Sequence, residues 1–147
     1  MPVKDDNMNQ FIAAMFSLTN AIESDFEYCC KICGGINKKE LMIIAFVGDN
    51  KNAKMSEVAD YLKAPLSTLT SIADKLVANK FLVRYNSDED RRVVKVALGE
   101  KGLESYKAFL TRKKSMTKKV LSHFGEKEQT TLIKHINKLA DAIVSEK

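Results

Sequence analysis

Apolar residues recur at Phe11, Met15, Leu18, Ile22 and Phe26, every three or four positions. That spacing predicts a one-sided helix over about residues 8–28. Gly34 and Gly35 then close it. Asn37 with Glu40 three residues on has the form of a capping box, so the apolar run 41–47 reads as a buried helix rather than a strand. Residues 48–52 form a polar turn. Met55, Val58, Ala59 and Leu62 make the stripe of a short helix, broken at Ala64-Pro65. Proline is tolerated in a first turn, so another helix starts there. Leu66, Leu69, Ile72, Ala73 and Leu76 form its buried side, and it ends near Asn79, a residue type that tolerates the left-handed conformation.

The period then changes. Residues 81–85 and 93–98 are rich in β-branched and aromatic side chains and flank the charged stretch 86–92. This predicts a two-stranded hairpin with a long polar tip. Gly99 to Gly102 returns the chain to helix. Tyr106, Phe109, Leu110, Met116, Val120, Leu121 and Phe124 mark a long helix, broken at Gly125. Leu132, Ile133, Ile136, Leu139, Ala140, Ile143 and Val144 mark a last one. The predicted class is mainly α with a small β-hairpin, six helices in all, and no repeat of solenoid length is visible.

Composition narrows the function. A chain of 147 residues, 45% hydrophobic and 29% charged, can bury a core without disulfides or metals. Six glycines and two prolines are too few for a turn-rich β-sandwich. The net charge of +5 is unevenly spread: net −3 over residues 1–50, +3 over 51–102 and +5 over 103–147. An acidic head and a basic remainder fit a polyanion bound on one side, or a solvated lysine-rich surface. The longest apolar run, 41–47, is far short of a membrane span, and the opening residues lack the apolar core of a signal peptide. An odd set of cysteines without an export signal points to the reducing cytoplasm. No nucleophile elbow, phosphate loop, zinc-protease motif or paired carboxylate set is visible, so no enzyme activity and no cofactor are expected.

A short helix, a tight turn, a second helix and a charged hairpin make a winged helix-turn-helix. In that arrangement the second helix enters the major groove of duplex DNA, where base edges are distinguishable. Its exposed side here carries Ser67, Thr68, Thr70, Ser71, Asp74 and Lys75. The hydroxyl residues are small enough to approach phosphates and bases closely, and Lys75 can pair with a phosphate. The hairpin tip holds Arg91 and Arg92 behind Asp88, Glu89 and Asp90. An arginine there can enter a narrow minor groove, where the negative potential is strongest, and a neighbouring carboxylate can hold it extended. The plainer alternatives are a polar helix face and a solvated turn with local salt bridges.

Residues 55–62, Ser67-Thr68-Leu69-Thr70, the stretch 73–84, Asp88 to Leu98 and Gly102 together resemble the MarR-type transcriptional regulators, with the Asp-Arg-Arg wing, Arg84 and Gly102 as the specific part. The resemblance implies a homodimer with three regions: an N-terminal dimerisation helix (1–36), a winged helix-turn-helix (37–99) and C-terminal dimerisation helices (100–147). It implies a repressor that places a recognition helix in the major groove and a wing in the minor groove. Arg92 is then the minor-groove residue and Asp90 its orienting partner. A small-molecule effector, a metal or an oxidant acting on the dimer is a further implication. Three departures stand out: Ala64-Pro65-Leu66 in place of a polar cap, Ser71 where a basic residue is usual, and Gly99 where a threonine is usual.

Cys29, Cys30 and Cys33 include a CxxC spacing, but no second pair completes a zinc site. They read as inert buried thiols or as a redox switch, which would need a lowered thiol pKa, with Lys31 the only adjacent cation. His123 and His135 read as surface or interface residues. Arg112, Lys113, Lys114, Lys118 and Lys119 read as a solvated helix face. A redox-sensing regulator, and a winged-helix module that binds protein rather than DNA, stay open as alternatives.

Overall fold

The computed structural model describes all residues, 1–147. In chain order they form α1 (Asp5–Ile32), α2 (Lys38–Asp49), β1 (Asn52–Lys54), α3 (Met55–Leu62), α4 (Leu66–Ala78), β2 (Leu82–Asn86), β3 (Val94–Leu98), α5 (Glu100–Leu121) and α6 (Glu126–Ser145). All six expected helices are present. Their contacts divide the chain into two units, Met1–Phe109 and Leu110–Lys147.

In the first unit, α1 outruns its apolar period at both ends. Asp5 and Asp6 sit in its first turn and Lys31 in its last, each on the favourable end of the helix dipole. Gly34 and Gly35 end it with φ of +101° and +71°. The Asn37 cap forms: its Oδ1 accepts the Glu40 N–H at 2.9 Å, and its Nδ2 donates to Glu40 Oε1 at 2.8 Å. The run 41–47 is helical, with Leu41, Ile43, Ile44 and Val47 buried.

The hairpin gains a third strand, which begins on the last residue of the expected turn, Asn52, and runs through residues 53 and 54, for which the sequence pattern predicts no element. Asn52–Lys54 pairs antiparallel with β3, giving a three-stranded sheet in the order β1-β3-β2. Lys51, at φ +64°, turns the chain out of α2 into it. In the second ladder Leu82 faces Leu98 and Arg84 faces Val96. The end of α4 also differs from expectation. Asn79 keeps φ −93°, and Lys80 takes the left-handed position at +65°. The Phe81 N–H reaches the Leu76 carbonyl at 2.8 Å and the Lys80 N–H reaches that of Val77 at 3.1 Å. This is a Schellman closure, which puts the left-handed residue one place beyond the cap.

Two apolar clusters hold the unit together. One joins α2, α3, α4 and the sheet through Ile43, Val47, Val58, Leu69, Ala73, Leu76, Leu82 and Val96. The other sets Cys29 and Cys33 of the α1 end against Ile36, Leu41 and Ile44, with Phe26, Tyr106 and Phe109 alongside. Gly102 is required by close approach, since a Cβ there would lie 2.0 Å from the Phe81 carbonyl oxygen. Gly99 is likewise tight against the Lys80 carbonyl, which explains the missing threonine.

The second unit comprises the later half of α5 and all of α6, and no α6 residue is fully buried. Gln129 Nε2 donates to the carbonyls of Leu121 (3.0 Å) and Phe124 (2.9 Å), satisfying acceptors that the end of α5 leaves open.

Candidate nucleic-acid interface

The α3–turn–α4 pair is built so that one side of α4 is buried and the other faces outward. Leu69, Ala73 and Leu76 anchor it. Lys63, at φ +51°, makes the turn after α3, and Pro65 serves as the N-cap of α4, where its missing N–H costs nothing. Ser67, Thr68, Ser71, Asp74 and Lys75 are exposed as expected, and Thr70 is half-buried. Leu66 departs from expectation. It is 53% exposed rather than buried, because the first turn of α4 projects past the core that receives Leu69.

The hydroxyls are already engaged within the helix. Thr70 Oγ1 donates to the Leu66 carbonyl at 2.8 Å and Ser71 Oγ to that of Ser67 at 3.3 Å. Lys75 is tied inward: its Nζ donates to Glu40 Oε1 at 3.0 Å, and the Glu40 side chain is almost wholly buried. Asp74 accepts from Arg84 of β2, which clamps the wing strand to α4.

At the wing tip, Asp90 grips Arg92 three ways. Its Oδ1 accepts the Arg92 backbone N–H at 3.0 Å and Nε–H at 3.2 Å, and its Oδ2 accepts from Nη2 at 3.3 Å. These bonds hold the Asp90 carboxyl below its ordinary pKa, the side-chain bonds first and the backbone bond second. Asn86 Nδ2 donates to the Arg91 carbonyl at 2.7 Å, and the Ser87 N–H donates to that of Val93 at 2.9 Å, closing the loop. Arg91 and Arg92 are both exposed.

Between the start of α3, the first turns of α4 and the wing lies an open cleft of about 620 Å³. Arg84, Arg92 and Thr70 line it, together with Lys54, Ser56, Leu66 and Asn86, which the sequence reading did not select. Lys54 and Ser56 come into range through the β1–β3 pairing, and no linear pattern marks them. The cleft therefore presents three cations, two hydroxyls and an amide on one surface, a set suited to phosphate and base edges.

The cysteines lie elsewhere, in the second apolar cluster. Burial, then the neighbouring Cys29 and Cys30, pushes the Cys33 thiol up to about 11. Cys30 is raised as well, by burial first and then by Cys29, Glu27 and Glu40, against a smaller opposing effect of Lys38. Both shifts run opposite to what a reactive thiolate needs.

Comparison with known proteins agrees with this architecture. The MarR family model matches residues 35–93, from the turn before α2 through the wing. The HTH-type transcriptional repressor MdtR of Bacillus subtilis is 27% identical over 108 residues, covering 74% of this chain and 70% of MdtR. Among solved structures, YusO of Bacillus subtilis superposes with a TM-score of 0.72 at 23% identity, over 96% of this chain and 99% of its own. Streptococcus pneumoniae FabT in complex with DNA superposes at 0.78 and 24% identity, over 98% and 100%. The six helices, the winged sheet and the matched stretch converge: over residues 35–93 the chain is similar to the MarR family of transcriptional regulators, and it shares the fold of the superposed structures.

Proposed function

We propose that this regulator binds duplex DNA as a homodimer on a pseudo-palindromic operator, and that it represses transcription until an effector releases it. The observation that carries the reading is the cleft between α4 and the wing, with Arg92 hydrogen-bonded to Asp90 beside an exposed helix face. Two arginines and a lysine on one surface supply phosphate affinity, and the outward residues of α4 supply contact with base edges. The name of MdtR as a repressor supports the direction of regulation.

The homodimer is supported by apolar side chains left uncovered on each unit. Phe11, Ile12, Phe16, Leu18 and Ile22 of α1 are exposed, as are Ile133, Ile136, Ile143 and Val144 of α6. A monomer in water rarely leaves such faces open, and a second copy covers them. DNase footprinting on duplexes from the gene's own upstream region tests the whole reading. Protection of two half-sites about one helical turn apart is the expected result. A protein-only role for the wing would draw on the carboxylates of Asp88, Glu89 and Asp90 repelling phosphate; the pairing of Asp90 with Arg92 takes one of the three out of that repulsion and supports the DNA-binding reading. A thiol switch is likewise disfavoured by the raised Cys30 and Cys33 pKa values.

A further inference from the structure

We infer that α4 reads thymine methyl groups and so selects half-sites rich in A·T pairs over guanine-centred ones. This rests on the DNA-binding reading above. In the major groove, guanine is recognised by paired donors from arginine or lysine and adenine by asparagine or glutamine, whereas the thymine C5-methyl is an apolar target. The exposed positions of α4 are Leu66, Ser67, Thr68, Ser71, Asp74 and Lys75, with Ala78 at its end, and no arginine, asparagine or glutamine is among them.

The two charged members are occupied within the protein. Asp74 accepts from Arg84, and the Lys75 ammonium lies 3.0 Å from Glu40 Oε1. The hydroxyl hydrogens of Thr70 and Ser71 go to carbonyls one turn back in the same helix, which leaves those oxygens as acceptors. What remains for base contact in the first turn is Leu66, a large aliphatic side chain 53% exposed, with the exposed Ser67 and Thr68, whose hydroxyls suit any base and discriminate little while the Thr68 methyl adds apolar surface; Thr70 lies one turn further along the same cleft. The N-terminal residues of a recognition helix are those that meet base edges. Arg92 on the wing side of the cleft agrees, since narrow minor grooves that attract arginine form over A·T tracts.

The test is selection of duplexes from a randomised library by the full-length protein, followed by replacement of thymine with uracil one position at a time. Uracil removes only the methyl group. The expected half-sites present T·A pairs to α4, and each contacted uracil weakens binding about fourfold, the worth of burying one methyl-sized group. Leu66→Ala is expected to bind the selected duplex more weakly and to lose the thymine–uracil difference. The uracil arm alters only the DNA, so it gives its answer however the variant folds. Guanine-centred half-sites, or indifference to uracil, would overturn the inference while leaving DNA binding intact. Failure to enrich any duplex would overturn the DNA-binding reading and this inference with it.

Discussion

Asp90 and Arg92 show how a weak interaction serves position rather than stability. Both side chains are at the surface, where an ion pair adds little to folding. Two side-chain hydrogen bonds to one carboxylate nevertheless restrict a long side chain that would otherwise sample many rotamers. In the proposed DNA complex, that restriction lowers the ordering cost of insertion into a groove. This pairing was legible in the Asp-Arg-Arg run because it is local. The state of the thiols was not, because it depends on what packs over them. Cys33 is raised above its ordinary pKa to about 11, so it stays protonated through neutral pH and ionises only as pH approaches that value. Iodoacetamide labelling followed by mass spectrometry should leave Cys33 largely unmodified at neutral pH, with the rate climbing toward about pH 11. Rapid labelling at neutral pH would revive the redox reading.

Among the elements, α4 is oriented by two tethers of different reach. Arg84 joins it to β2, and Lys75 joins it to the buried carboxylate at the start of α2. The helices were readable from the sequence because period, caps and breakers are local signals. The strand β1 was not, since three residues carry no period and their pairing partner is far along the chain. Lys75 illustrates the same limit. Its sequence position marks it as an exposed cation, and only the packing of α4 against α2 brings it to Glu40. The two roles separate in a salt titration. A phosphate contact removed by Lys75→Met would reduce the slope of log K against log salt by about 1. The tether to Glu40 predicts an unchanged slope, with a stability loss of about 1 kcal/mol in thermal melting, discounted for the exposure of the lysine.

At the scale of the whole molecule, charge and apolar surface divide the labour. The basic middle of the chain carries the wing and the cleft, whereas the α1 and α6 faces carry the uncovered apolar side chains. Phe16, 69% exposed, is the most open of the α1 set. Phe16→Glu places a charge where a partner would have to desolvate it, and light scattering should show the proposed dimer shifting toward monomer with the helical content retained. A monomeric wild-type protein, or a variant dimer of unchanged strength, would remove α1 from the interface. Operator binding should weaken in parallel, because two half-sites need two recognition helices held at fixed spacing.

The central claim is that the wing and α4 grip DNA together, and a fluorescence anisotropy titration of the footprinted duplex at several salt concentrations tests it most directly. Affinity is expected to fall steeply with salt, and Arg92→Ala to lose about 1–3 kcal/mol at fixed salt. Binding indifferent to salt, or an Arg92→Ala variant as tight as the wild type, would contradict it.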